Sequence, residues 1–375
     1  VISPVLVGGS WLFLEEIMEK STDRCRFVVA GLGRTAQRRG KFVIYGIPYP
    51  SYIKWGLILT LNVLFALLYE LPLLVLSFLL MMVYRPRIAI ANGLVACLAI
   101  PIPARVMGCK VIASHHGYVK YYVGKRTAGA ARILSRFVDN VFVNSQGSRD
   151  DISLLVDRSK ITVVEHWSDD IFFSAKCRSS CREQLGLLDK FVILFVGRLD
   201  REKQCYTLMK VIQKLRGHND VAFLFVGTGE LATSIKQLEE SYGNVKYFGY
   251  VSDKARLGQL YSSADVVWSF ADETYIAKPA VEALASGTPI IIPDVPAIMR
   301  KGIQNVKIRH DLIPEDVGWV VNNSDIEGIS KLILEIKTKR LANDAVRLRC
   351  TNYARRKHSA SNIQIAKQVL VDFLK

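Results

Sequence analysis

The stretch Ser269–Pro293, SFADETYIAKPAVEALASGTPIIIP, decides the fold of this chain. It begins inside the run Val266–Phe270, whose β-branched and aromatic residues predict a strand. A helix is predicted over Pro279–Ser286, because proline opens its first turn and Gly287 follows its end. The run Ile290–Ile292 is apolar without alternation, as in strands that a parallel sheet buries on both faces. The stretch therefore predicts an α/β fold.

The loop between this strand and this helix predicts a ligand site. The loop Ala271–Lys278 lies at the carboxyl edge of the predicted sheet, where open α/β folds bind ligands. Its amides and the helix N-terminus favour an anion, most simply a phosphate. Glu282 lies about one turn into the helix, near the same end. A carboxylate repels phosphate but suits a pair of sugar hydroxyls, as in ribose recognition.

Composition indicates a globular protein with an anionic partner. The 375 residues, 50% hydrophobic and 22% charged, allow one or two domains with sizeable cores. The net charge of +16 implies nucleotide phosphates, an acidic membrane surface or nucleic acid. The seven scattered cysteines favour reduced thiols over a disulfide framework. We see no signal-peptide pattern and expect a cytoplasmic protein.

Two further loops at predicted strand ends contain residues suited to phosphate. The strand Phe191–Val196 precedes Gly197, and Arg198 and Lys203 then share one loop. Arginine offers a fork of donors and lysine a point charge, which together neutralise a diphosphate leaving group. After the strand Val221–Val226, Gly227 and Gly229 open a G-x-G-x-x-A pattern that by itself also fits an NAD site.

The first half of the chain contains weaker signals. Gly8 and Gly9 predict a glycine loop before a helix. The pair His115-His116 ends the strand Lys110–Ser114 where ligands bind, but no further metal ligands stand at useful spacing. An earlier G-x-G-x-x-A at 31–36 leaves too little chain before the next strand for a crossover helix, so it does not predict a dinucleotide site.

The segment 53–83 is the most apolar part of the chain. The runs Phe42–Tyr45 and Ile88–Ala91 predict neighbouring strands of one sheet, which excludes a single membrane crossing between them. A buried crossover helix, a helix in the membrane interface and a re-entrant hairpin broken at Pro72 remain open. The aromatic and basic flanks favour peripheral membrane contact. The basic residues of 337–357 predict a solvated or membrane-facing patch.

Together these motifs resemble the retaining, nucleotide-sugar-dependent glycosyltransferases of group 1, which have the GT-B fold. The family signature is an acid, seven residues, then Glu, Ala, a small residue, Gly and Pro. Glu282–Pro289, EALASGTP, matches its second half. Thr274 stands eight positions before Glu282, directly after Asp272 and Glu273. Either the loop is one residue longer here or the first acid is missing.

The resemblance and the alternation of strands and helices predict two doubly wound Rossmann-like domains with a cleft between them. We expect an N-terminal acceptor-side domain at 1–173, a nucleotide-sugar domain at 174–360, and a C-terminal helix at 361–375 that packs back on the first domain. The hinge is expected near 173–190.

The resemblance also implies roles for individual residues. Arg198 and Lys203 would hold the diphosphate, Glu282 the ribose, and His116 the donor sugar. The candidate catalytic residues are thus His116, Arg198, Lys203 and Glu273. Candidate donor-binding residues are Gly8, Gly9, Gly197, Gly227, Gly229, Tyr250, Val251, Thr274, Tyr275, Ile276, Lys278 and Glu282, with Gly249–Val251 at the nucleobase.

The predicted function is transfer of a sugar from a nucleotide diphosphate sugar to a hydroxyl acceptor, without a metal or other cofactor. The acceptor is expected to be a lipid-linked molecule or a polyol phosphate, met at the inner face of the cell membrane by a peripheral protein that binds no nucleic acid. Two alternatives stay open. One is a non-catalytic homologue that binds nucleotide sugars, and the other is an NAD-dependent Rossmann enzyme.

Overall fold

The computed structural model of this chain describes residues 2–3, 9–20, 27–32, 37–39, 42–47, 71–92, 100–115, 135–174, 178–201, 203–270, 276–294 and 313–375. The chain divides into two compact units. The first contains Val1–Glu165 and Asn362–Lys375, and the second contains His166–Ser361.

The first unit is built on an eight-stranded sheet with the order β3-β4-β2-β1-β5-β6-β7-β8. Its strands are β1 (Ile2–Ser3), β2 (Phe27–Leu32), β3 (Gln37–Arg39), β4 (Phe42–Ile47), β5 (Ile88–Asn92), β6 (Lys110–His115), β7 (Asn140–Val143) and β8 (Ile161–Val163). Its helices are α1 (Gly9–Glu19), α2 (Leu71–Tyr84), α3 (Pro101–Val106), α4 (Gln146–Ile152) and the C-terminal helix Asn362–Leu374. The described pairings are parallel except for the β3–β4 pair.

The position of β4 corrects one prediction. The strands β4 and β5 do belong to one sheet, but β2 and β1 lie between them. The chain after β2 instead forms the short edge strand β3, which pairs with β4 in an antiparallel hairpin. Strands that follow one another in the sequence need not pair. The segment between β4 and β5 is long enough for other strands to lie between them.

The helix α2 is the described part of the apolar segment 53–83. One face packs into the first unit, where Ser77 and Met81 are buried. The opposite face exposes Val75, Leu79 and Val83. The rest of the segment, 53–70, lies outside the described residues. None of the helices in the described part of the chain has the length and apolar character that crossing a bilayer requires.

The second unit is a parallel six-stranded sheet with the order β11-β10-β9-β12-β13-β14. The strands are β9 (Phe191–Val196), β10 (Val221–Val226), β11 (Val245–Tyr247), β12 (Val266–Trp268), β13 (Ile290–Pro293) and β14 (Gly318–Val321). The helices are α5 (Asp170–Phe173), α6 (Arg178–Leu185), α7 (Cys205–Lys214), α8 (Ala232–Ser241), α9 (Lys254–Ser263), α10 (Lys278–Ala285), α11 (Ile326–Thr338) and α12 (Asp344–Lys357). Buried apolar clusters on both faces of this sheet explain its unbroken apolar strands.

The units divide at 165/166 and 361/362, whereas the sequence suggested boundaries after 173 and 360. The reason is that the segment 166–168 is hydrogen-bonded to the end of α12: the Ser168 amide donates to the His358 carbonyl at 2.8 Å. The segment expected to be a hinge also contains α6. Its Arg182 pairs with Asp265 at 3.1 Å, and Asp265 accepts the Val192 amide of β9 at 2.7 Å. Arg178 pairs with the same carboxylate.

The basic patch predicted for 337–357 is wrong for Arg347. This side chain is half-buried in the second unit and donates to the Ser262 and Ala264 carbonyls, each at 3.0 Å. Burial, the largest cause, lowers the pKa of Arg347 from 12.5 to about 10. The run of basic residues in the sequence therefore includes one side chain, Arg347, that connects α12 to the end of α9.

The loops after β9 and β10 lie in direct backbone contact. The Gly197 amide donates to the Val226 carbonyl at 3.0 Å, and the Leu199 amide donates to the Thr228 carbonyl at 2.9 Å. A Cβ atom at Gly227 would lie 1.8 Å from the Gly197 oxygen, and one at Gly229 would lie 2.4 Å from the Leu199 oxygen. The glycines of this G-x-G pattern are therefore required by the packing of one loop on the other.

We expect Gly227→Ala to destabilise the second unit by at least about 2 kcal/mol, because φ is +136° there and the added methyl group meets backbone. Urea unfolding followed by circular dichroism measures this. Gly217→Ala is the matched control, since a Cβ atom at Gly217 meets nothing within 4 Å. Equal midpoints for the two variants would contradict the prediction.

The buried His358 predicts a pH-dependent stability. Burial, the largest cause, lowers its pKa from 6.5 to about 4, although its Nδ1 bonds to the His166 carbonyl at 2.8 Å. Between these two values the unfolded chain binds a proton that the folded chain does not, so stability falls as the pH falls. From pH 7 to pH 5 the loss is on the order of 2 kcal/mol.

The measurement is the unfolding free energy of wild type and His358→Asn from pH 7.5 to 5. We expect the wild-type curve to fall more steeply, since the variant has no imidazole to protonate. Near-ultraviolet circular dichroism at pH 7.5 establishes that the variant is folded. Parallel curves would refute the assignment.

Candidate active site

The central strand β9 creates a topological switch point in the second sheet. It pairs with β10 on one side and β12 on the other: the chain runs outward from β9 to β10 and β11, then crosses back through α9 to β12 on the opposite side of β9. Trp268, the last residue of β12, is in register with Phe195. The loops after β9 and β12 thus begin at the same level of adjacent strands. Ligands of doubly wound folds bind at this kind of position.

The loop after β9 holds the two predicted phosphate-binding cations. Asp200 organises it: one carboxylate oxygen accepts the Lys203 amide at 2.8 Å, and the other pairs with Arg198 at 3.2 Å. The Arg198 side chain is 59% exposed, so its guanidinium is accessible to solvent-borne anions. Behind the loop, the Cys205 thiol lies 3.5 Å from the Arg198 carbonyl, and burial raises its pKa to about 12. That thiol is therefore protonated at neutral pH.

Glu282 is buried on α10, the helix that follows β12 and the loop at the switch point. Its Oε2 accepts a hydrogen bond from the Tyr261 hydroxyl at 3.0 Å. The helix begins at Lys278 with Pro279 in its first turn, as predicted within one residue. A carboxylate held near a helix N-terminus can accept hydrogen bonds from ligand hydroxyls.

Lys278 and Ile276 lie at the entrance to α10. The Lys278 Nζ stands 5.6 Å from the centre of the Trp167 ring, a cation–π geometry. Ile276 packs against the core cluster of the second unit. Of these two predicted loop residues, Lys278 therefore supplies a positive charge, and Ile276 contributes a packing contact with the core.

The loop after β11 lies beside the Gly227 loop. The Gly227 amide donates to the Gly249 carbonyl at 2.7 Å, and the Tyr247 hydroxyl donates to the Gly227 carbonyl at 3.0 Å. Tyr250 is 75% exposed, and Val251 is half-buried against the core. The three loops after β9, β10 and β11 thus form one continuous edge of hydrogen-bonded backbone.

Several predicted site residues lie outside the described residues: Gly8, His116, Glu273, Thr274 and Tyr275. Gly9 is the first residue of α1 in the first unit. The structure therefore brings together the Arg198–Lys203 loop, the Gly227 loop and the start of α10 at one sheet edge, all within the second unit.

Two residues of this edge escaped the sequence analysis. Asp200 had a local signal, because an Asp three residues before an amide it accepts is a frequent turn device. Tyr261 had none, because its partner Glu282 lies 21 positions away and the contact depends on how α9 and α10 pack. In the described part of the chain, no cluster of three His, Cys, Asp or Glu side chains suits a metal ion.

Several known proteins similar to the chain are named as glycosyltransferases. Residues 178–357 match the family model of the glycosyl transferases group 1. Over 171 residues the chain is 29% identical to an uncharacterized glycosyltransferase of Methanocaldococcus jannaschii, covering 42% of each protein. Over 163 residues it is 27% identical to a D-inositol 3-phosphate glycosyltransferase of Mycobacteroides abscessus, covering 41% of this chain and 36% of that protein. The matches thus span less than half the length of these relatives.

A solved structure extends the likeness to both units. HepE of Anabaena in complex with UDP matches with a TM-score of 0.73 at 19% identity, covering 100% of this chain and 98% of that one. HepE is also known in complex with UDP-glucose. The predicted fold class is confirmed: the chain has the fold of the GT-B glycosyltransferases with two Rossmann-like domains, and its residues 178–357 are similar to the glycosyl transferases group 1 family.

Proposed function

We propose that this protein is a retaining glycosyltransferase that moves a sugar from a nucleotide diphosphate sugar to a hydroxyl acceptor. The observation behind this is the meeting of two complementary chemistries at one switch point. Arg198 and Lys203 follow β9, and Glu282 lies on the helix after the adjacent strand β12. Cations suit a diphosphate, whereas a carboxylate suits ribose hydroxyls.

The charges suit the main electrostatic need of this reaction. When the bond between the anomeric carbon and the phosphate oxygen breaks, negative charge grows on the departing diphosphate. The Arg198 fork and the Lys203 ammonium stabilise that charge, so this step requires no metal ion. The acceptor hydroxyl attacks from the face that the diphosphate leaves, which retains the configuration of the sugar, and its proton passes to the departing diphosphate oxygen. His116 and Glu273 are the proposed sugar-side residues.

The relatives support a donor and an acceptor class. HepE binds UDP and UDP-glucose, and the mycobacterial relative is named for D-inositol 3-phosphate. We therefore propose a nucleoside diphosphate hexose as the donor and a polyol phosphate, free or lipid-linked, as the acceptor. The net charge of +16 favours an anionic acceptor of this kind.

Arg198→Ala and Lys203→Ala are each expected to lower kcat/KM for transfer at least about 100-fold, because each removes a donor to the developing charge. The measurement is nucleoside diphosphate release from UDP-, GDP- and ADP-hexoses with inositol phosphate present. Lys214→Ala is the matched control: that lysine also belongs to the α7 region but pairs with Glu327 at 2.7 Å, and its variant should stay within about twofold of wild type.

Three results would overturn this assignment. Unchanged kcat/KM in both variants would remove the diphosphate role of the loop. Donor binding without any turnover by the wild-type protein would favour a non-catalytic homologue, the alternative that Thr274 keeps open. Saturable binding of NAD, with no binding of nucleotide sugars, would favour an NAD-dependent enzyme.

We further propose that the protein associates peripherally with the anionic inner face of the cell membrane through α2. Val75, Leu79 and Val83 follow one another at helical spacing on the exposed face, and Val83 is 74% exposed. Arg85 and Arg87 come directly after the helix, where cations meet lipid phosphates. An apolar face with basic residues at its end is typical of interfacial helices.

The double variant Leu79→Gln, Val83→Gln is expected to lower co-sedimentation with phosphatidylserine-containing liposomes at low salt by about tenfold, because it removes apolar surface from the interface. Leu348→Gln is the control, since Leu348 is 62% exposed on α12 of the second unit. Wild-type protein that stays in the supernatant at low salt would disprove membrane association.

A further inference from the structure

The hydroxyl of Tyr261 donates a hydrogen bond to the Glu282 carboxylate. The Tyr261 Oη lies 3.0 Å from the Glu282 Oε2, and both side chains are buried. Tyr261 is fully enclosed in the core, so solvent does not compete for its hydroxyl. One oxygen of the Glu282 carboxylate is therefore hydrogen-bonded to a side chain of the core.

Tyr261 is itself rigidly held. The Thr288 Oγ1 donates to the Tyr261 carbonyl at 2.7 Å, and Arg347 donates to Thr288 Oγ1 at 3.2 Å. The Phe172 ring packs edge-on against the tyrosine ring, with 5.9 Å between ring centres. Backbone and ring are thus fixed from separate elements: α5, α12 and the turn before β13.

The hydroxyl stays protonated at all physiological pH values. Burial, the largest cause, and the nearby Glu282 carboxylate raise the pKa of Tyr261 well above its ordinary value of 10. A protonated phenol can only donate toward a carboxylate, so the direction of this hydrogen bond is fixed.

We propose that Tyr261 is a positioning residue for ribose recognition, which holds the Glu282 carboxylate in the orientation that accepts the ribose hydroxyls of the donor. This inference rests on the proposed function of the site. A glutamate has three rotatable side-chain bonds, and a ligand that must order them loses affinity. The bond from Tyr261 orders the carboxylate before the nucleotide arrives.

The test compares nucleotides that differ only in the ribose. Isothermal titration gives the Kd of UDP, GDP and ADP for the wild-type protein, and then of the 2′-deoxy and 3′-deoxy forms of the tightest binder. We expect one deoxy form to bind wild type at least about tenfold more weakly. In Tyr261→Phe, which keeps the ring, that ratio should shrink to about twofold, with the loss concentrated in the ribose form.

A purely structural role for Tyr261 predicts a different result: both nucleotides would lose affinity equally and the ratio would stay at its wild-type value, which overturns the inference. Tyr353→Phe is the matched control, because Tyr353 lies in the same core cluster and packs against His358, at 5.6 Å between ring centres. Its ratio should equal that of wild type.

A second variant keeps the test decisive if Tyr261→Phe does not fold. Thr288→Val removes the hydroxyl that holds the Tyr261 carbonyl, and it should shrink the same ratio by a smaller factor; an unchanged ratio counts against the inference. Wild-type protein that binds none of the three nucleotides overturns the proposed function itself. Tight binding with no preference for ribose leaves that function standing and overturns only the role of Tyr261.

Discussion

The backbone contact between the Gly197 and Gly227 loops is the constraint on which the candidate site depends. It extends the pairing of β9 and β10 beyond the strands themselves, so the chain leaves both strands in a defined direction. Arg198 follows directly from that point, and Asp200 then ties the rest of the loop to it. Because a Cβ atom at Gly227 would overlap the Gly197 oxygen, only glycine permits this arrangement.

The strong positive charge of the chain divides into groups with different physical roles. Arg182 is buried and Arg347 is half-buried, and both hydrogen-bond to carbonyls in the core, Arg182 also to Asp265. Arg198 pairs with Asp200 but remains exposed at the sheet edge, so a ligand anion can also approach it. Net charge alone therefore does not measure the strength of an anion site, because buried arginines with several hydrogen bonds are already committed to the fold.

Most elements of the second unit were predictable, and several of its contacts were not. The strands Phe191–Val196 and Val221–Val226 have the predicted limits, because long apolar runs bounded by glycine have one interpretation in a parallel sheet. The edge strand β3 was missed, since its residues Gln37–Arg39 have no apolar pattern. The expected adjacency of β4 and β5 was wrong, because strand order depends on crossovers and not on proximity in the chain.

The sequence by itself determined the α/β class, the alternation of elements, and the cationic and acidic residues at strand ends, since these follow from local periodicity and from the chemistry of each side chain. Only the tertiary structure decided that β9 and β12 are neighbours, that Asp265 holds α6 to β9, and that Tyr261 supports Glu282. The physical reason is that these contacts join residues far apart in the chain, and the packing of helices on the sheet selects their partners without leaving a local pattern.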